Sequence, residues 1–301
     1  MAPAKDTGLH PGRVIPSIPH RGTSAKEVPM NVLKPHKKLA VISALLEGCS
    51  VRATSRMTGV HKTTILKVLV EMGDKCETLM KESMRGIACQ AIECDEIWGF
   101  IGKKQRQVSE EEKLTSPAFG DAYTFVGLDP DSKAVITFAL GKRDHKTTWS
   151  FIKDLSERVT GEPQISTDGF VHYIPAIQEY FGPGAHYAQV VKSYEPEPAG
   201  RGRYSPPKVT SQQITRISGN PKKSKIGTAY VERNNWTMRT NLRRLTRLSN
   251  GFSRKFDNLK AALSVWFWYY NFCRIHSTTK TTPAMAIGAT TRLWNLEELL
   301  A

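Results

Sequence analysis

Asp95, Asp168 and Glu232 are the residues of this chain whose types and settings could do chemistry together. Asp95 sits inside the stretch Ala91 to Trp98, where Ile92, Ile97 and Trp98 favour a short strand. A carboxylate on a largely buried strand must be paired, hydrogen-bonded or bound to metal, because its isolated burial is strongly unfavourable. Asp168 follows the short strand-like segment Pro163 to Thr167 and precedes Gly169. Glu232 stands near the head of a helical segment, Thr228 to Leu248. At 3.6 residues per turn Arg239, Arg243 and Arg247 continue its side of that helix, while Val231, Met238, Leu242 and Leu245 form the buried stripe. Three carboxylates gathered in one place repel unless divalent cations lie between them. Hard oxygen ligands select Mg²⁺ or Mn²⁺ over zinc. Two such ions about 3.5–4 Å apart activate an attacking hydroxyl and stabilise the leaving oxygen of an in-line phosphoryl displacement.

The elements that must bring these acids together follow in order. Tyr123 to Leu128 and Ala134 to Leu140 read as a hairpin joined by the turn residues Asp129-Pro130-Asp131-Ser132. Asp144 to Val159 is helical, with Trp149, Ile152, Leu155 and Val159 on one face. Pro163 to Thr167 is a strand, Ile174 to Phe181 a helix, and Tyr187 to Val191 a further strand. The succession β-β-β-α-β-α-β, followed by helices, suits an α/β fold with a five-stranded mixed sheet flanked by helices, the RNase H-like architecture. There the first and fourth strands are neighbours, and the helix carrying Glu232 packs across them. The catalytic half is expected over residues 85–301, with a basic insertion at 192–225.

Ahead of it, residues 33–84 read as an all-α domain. Leu39, Ile42, Leu45 and Leu46 line one side of a first helix, Ser50 caps a second, and Thr58-Gly59-Val60 makes a tight turn into a third, with a linker helix from Gly73 to Met84. A helix that opens with small polar and basic residues after a glycine turn is the mark of a helix-turn-helix. His61, Lys62, Thr63 and Thr64 would then meet base edges and Lys67 a phosphate. The plainer alternative is a structural three-helix bundle. The net charge of +15 over 301 residues favours a polyanionic partner, most simply double-stranded DNA. Residues 1–32, with five prolines and no periodicity, read as a disordered basic arm.

The remaining features have quieter readings. The insertion carries Arg201, Arg203, Lys208, Arg216, Lys222, Lys223 and Lys225, and suits either a DNA-facing flap or a flexible connection. Glu93 shares the strand side of Asp95 and Glu96 takes the other; either suits a surface or pairing role better than that of the ligand in place of Asp95. Lys103 to Ala118 reads as an exposed loop. Five cysteines show no paired spacing, so neither a zinc ribbon nor a disulfide framework is expected. No signal-peptide core is present, and Ala261 to Phe272 is too short to span a bilayer, so it reads as a core helix of a cytoplasmic, nucleoid-associated protein with no membrane role.

Several longer motifs carry a resemblance. Thr167-Asp168-Gly169, Tyr230 to Asn235, Thr237-Met238-Arg239, Arg243 to Asn250, Tyr270 to His276 and Thr282 to Ala286 resemble, in that order, DDE transposases of bacterial and archaeal insertion sequences, with the family named after insertion sequence one the closest group. The similarity runs from about Ile92 to the C-terminus. It implies that Asp95, Asp168 and Glu232 form the acidic triad and hold two Mg²⁺ or Mn²⁺ ions. It further implies that Arg239 is the basic residue, two turns after the glutamate, that contacts DNA near the element end. The implied activity is cleavage at terminal inverted repeats and transfer of the 3′-hydroxyl to target DNA, within a homo-oligomer that holds both ends. The zinc-binding cysteine set that members often carry ahead of the helix-turn-helix is not in this sequence. Two other readings stay open: a nuclease of the same fold without strand transfer, and a DNA-binding regulator with a vestigial catalytic domain.

Overall fold

A computed structural model describes residues 32–195 and 208–300. The arm expected over 1–32 lies outside them save for Val32, as do Arg201 and Arg203. Eight strands occur among the described residues: β1 (Ile87–Ala88), β2 (Ala91–Ile101), β3 (Gly120–Leu128), β4 (Val135–Gly141), β5 (Val159–Thr160), β6 (Gln164–Thr167), β7 (Tyr187–Glu195) and β8 (Lys208–Ser218). The helices are α1 (Pro35–Leu46), α2 (Val51–Thr58), α3 (Lys62–Ser83), α4 (Glu110–Thr115), α5 (His145–Arg158), α6 (Tyr173–Phe181), α7 (Ala229–Asn241), α8 (Phe256–Phe272) and α9 (Pro283–Ala286).

Six strands form a mixed sheet in the order β4-β3-β2-β6-β7-β8, and β1 pairs with β5 separately. The sheet is therefore six-stranded, not five. The added strand, β8, falls inside the basic insertion and runs antiparallel to β7 from Tyr187 opposite Ser218 to Glu195 opposite Lys208. Its β-branched Val209, Thr210, Ile214, Thr215 and Ile217 supply the strand propensity. Most of its residues are exposed, so no buried face imprinted an alternating pattern on the sequence.

The strand pairing that matters most is as expected. β2 runs parallel to β6 with Cys94 opposite Thr167, which leaves Asp95 and Asp168 as the next residues of neighbouring strands. Side chains alternate along β2. Ile92 and Cys94 enter an apolar core with Phe151, Ile152 and Leu155 of α5 and Tyr173, Ala176 and Ile177 of α6. Glu93 and Asp95 point the other way, toward α7. The turn at Asp129 forms as its chemistry predicts, with the carboxylate accepting the Ser132 amide at 2.7 Å, and Asp144 caps α5 by accepting the Thr147 amide at 2.9 Å.

From Lys34 onward the described residues form one compact unit. Ser50 caps α2 by accepting the Ala53 amide, and Gly59, at φ +70, makes the left-handed turn before α3. The third helix and the expected linker helix prove to be one: α3 runs unbroken for 22 residues and packs along α8. Gly73 permits that approach, since a Cβ there would stand 2.5 Å from the Ala261 Cα. The aromatic run of α8 is core, with Trp266, Phe267 and Trp268 each at most 1% exposed. Two further boundaries differ. The expected loop after Gly102 contains α4, opened by a Ser109/Glu112 capping box. The helix expected through Leu248 stops at Asn241, and turns follow, with Leu248 at φ +55. The Asn241 amide and Thr246 hydroxyl bond backbone carbonyls of α7 instead of extending it. Leu242 and Leu245 are buried regardless.

Candidate carboxylate centre

Adjacent parallel strands make the centre. Asp95 leaves β2 beside Asp168 at the end of β6, and Glu96 joins them: one carboxylate oxygen from each of the three lies within 4.8 Å of the others. Glu96 belongs to the opposite strand side by alternation, so the sequence did not single it out. It reaches the group through Arg143, between β4 and α5, which donates Nε to Glu96 Oε2 and Nη2 to Asp168 Oδ2, both at 2.9 Å. The Arg143 guanidinium also lies over the Phe170 ring, 4.1 Å from its centroid. The Glu96 side chain is only 2% exposed. Its second oxygen, Oε1, is buried beside the Tyr173 hydroxyl; burial pushes the Glu96 carboxyl up, while that hydroxyl pulls it down.

Burial and crowding shape the charges. Burial pushes the Asp95 carboxyl up to about 7, helped by the charges of Glu96 and Asp168 and, least, by Glu232. Glu96 is likewise pushed up to about 7, first by burial and then by Asp168, against the pull of Arg143. Asn235, one turn along α7 from Glu232, donates Nδ2 to Asp95 Oδ2 at 2.9 Å. It is the second contact that pattern reading missed, although it lies within the Tyr230 to Asn235 motif.

Glu232 is near enough to act on Asp95 but is not one of the three clustered acids. Its Oε1 accepts Lys192 Nζ at 2.5 Å and the Thr228 hydroxyl at 2.7 Å. The helix that carries it is held in place by Glu93, whose Oε2 accepts the Tyr230 and Val231 amides at 2.8 and 2.9 Å. Two otherwise orphaned N–H groups at the start of α7 are satisfied by a strand residue two before Asp95. Glu93 is thus a pairing residue, one of the roles its position allowed.

The donor set fits a hard cation. It consists of carboxylate oxygens alone, and two of the acids resist ionising beside one another. The nearest positive groups, Arg143 and Lys192, partly neutralise the site.

The expected DNA-facing residues are arranged as follows. His61, Lys62, Thr63 and Lys67 are exposed at the start of α3, and Thr64 is half-buried. His61 caps the helix, its Nδ1 2.8 Å from the Thr63 hydroxyl. Arg239 is half-buried, and its Nη1 donates to the Leu245 carbonyl at 3.4 Å. Arg243 and Arg247 are exposed but lie past the end of α7, so the three arginines do not form one helical stripe. No helix among the described residues is long and apolar enough to cross a membrane. No protein-family model matches the chain, and no curated protein does either.

Proposed function

We propose that this chain is a DDE-type DNA transposase of RNase H-like fold with an N-terminal helix-turn-helix. The observation that carries the reading is the meeting of Asp95, inside β2, with Asp168, just past the end of the neighbouring β6, with Glu232 on the helix that also bonds Asp95, in a chain of net charge +15. Asp95, Asp168 and Glu232 are the residues that would hold Mg²⁺ or Mn²⁺, with Glu96 beside them. Bound divalent ions would supply charge neutralisation and a more acidic hydroxyl for in-line phosphoryl transfer. The chain's own part is positioning. Asn235 fixes the Asp95 carboxylate, Glu93 fixes the head of α7, and Arg143 and Lys192 offset the charge of Glu96, Asp168 and Glu232. The exposed start of α3 is the DNA reader in this account, and two element ends held together call for a homo-oligomer.

A second reading has one observation in its favour. Arg143 and Lys192 already occupy oxygens of Asp168 and Glu232, as they would in a DNA-binding regulator whose acids no longer serve chemistry. The test is incubation with Mg²⁺ and DNA spanning the chain's own gene and its flanks. Transposition predicts both nicked and joined products from the unmodified protein, and neither from Asp168→Asn, which retains DNA binding. Nicks without joints would identify a nuclease, and binding without either product a regulator.

A further inference from the structure

Between α1, the start of α3 and the turns that follow α7 lies an open cleft of about 830 Å³, away from the carboxylates. Its volume is in the range of small-molecule sites, roughly 300–1,000 Å³. Leu66, Leu242 and Phe252 contribute apolar walls, and five cations line it: Arg52, Lys62, Arg243, Arg244 and Arg254. No Asp or Glu does. Among the described residues none of the five forms an ion pair.

Arg244 marks the site as more than a solvated basic face. Its Nη1 donates to the Ser253 hydroxyl at 2.7 Å, while Nη2 is buried without a partner. Burial lowers its pKa to about 10, and no carboxylate acts to restore it. A desolvated guanidinium without a counter-ion is costly, and a bound anion offsets that cost. The apolar walls ask for more than a free anion: the occupant that suits both has a flat apolar body and an anionic head.

We propose that the cleft binds one unstacked nucleotide of a DNA strand, its base against the Leu66–Leu242–Phe252 walls and its phosphate at Arg244 and the cationic rim. The position supports this occupant. Lys62 both lines the cleft and opens the helix assigned above to DNA reading, and Leu242 caps the helix that carries Glu232. From Glu232 to Asn241 that helix rises about 14 Å, a span of about four nucleotides of one strand. The cleft thus touches both the helix assigned to DNA reading and the far end of the helix that carries Glu232. The inference rests on the transposase reading for its choice of DNA, but its test does not need catalysis.

Cys49 lines the cleft and is partly exposed, whereas Cys89 and Cys273 lie outside it and serve as internal standards. Alkylation of the full chain is followed at each cysteine by mass spectrometry with single-stranded oligothymidylate or a blunt duplex as probe. Oligothymidylate should slow alkylation of Cys49 alone, at concentrations where the duplex does not. Arg52→Glu with Arg254→Glu, both on the exposed rim, should shift that protection to roughly tenfold higher oligonucleotide at fixed salt. Asp95→Asn should keep it. Equal protection by duplex, no protection, or protection indifferent to the rim charges would each overturn the proposal. Protection in the unmodified protein, together with a failure of that same protein to nick or join DNA, would sink the transposase reading and leave the nucleotide site standing.

Discussion

Asp95 carries a consequence that can be measured without DNA. Its carboxyl titrates near 7 in the fold against an ordinary value of 3.8, and Glu96 near 7 against 4.5. Between those values the folded chain holds more protons than the unfolded one, so this pair makes stability fall as pH rises from about 4 to about 7. Asp95→Asn should remove part of that slope and raise the melting temperature at pH 8 relative to the unmodified protein, with little gain at pH 4. Mn²⁺ should stabilise the unmodified protein more at pH 8 than at pH 5, because the ionised carboxylates bind it. Thermal unfolding across pH reads both, and an unchanged slope in Asp95→Asn would remove the crowding argument. Asp95 and Asp168 were legible in the sequence because one is a carboxylate inside a strand-forming stretch and the other directly follows a short strand, and parallel pairing of those strands brings them level. Glu96 was not, since period-two alternation sends it to the other side, where Asp168 past the strand end still meets it and Arg143 bonds both. Arg143 itself stands just before a helix cap, in a position that no periodicity marks.

At the scale of elements, the crossing of α3 and α8 decides how the helical front meets the sheet half. Gly73 sits in the interior of α3, where alanine would ordinarily be favoured by about 1 kcal/mol. Here the added Cβ would meet Ala261 Cα at 2.5 Å, and overpacking of that kind costs about 1–3 kcal/mol. Gly73→Ala should therefore destabilise the chain in denaturant titration, and a stabilised variant would contradict the close crossing. Most helices and strands were legible from apolar spacing and from helix starts such as Ser50 and Asp144. The ends of α7 and the existence of β8 were not. Leu242 and Leu245 kept helical spacing while the backbone had already turned, because burial records which side chains face the core and not how the chain arrives there. β8 is an edge strand with little buried face, and α4 was overlooked although its Ser109-x-x-Glu112 box was in plain view.

For the whole molecule, the excess of cations is the broadest clue to a partner, and it has a quantitative signature. Each phosphate contact contributes roughly 0.9 to the slope of log K against log salt on duplex DNA. Lys67, exposed one turn into α3, should lower that slope by about one when replaced by alanine, with affinity falling on all sequences alike. An unchanged slope would take Lys67 off the DNA. The claim on which the rest depends is that Asp95, Asp168 and Glu232 hold divalent ions between them, and calorimetric titration of Mn²⁺ at pH 8 tests it most directly. The account predicts saturable binding of up to two ions by the unmodified protein, lost in Asp168→Asn and weakened in Glu232→Gln. Binding that Asp168→Asn leaves intact would contradict it.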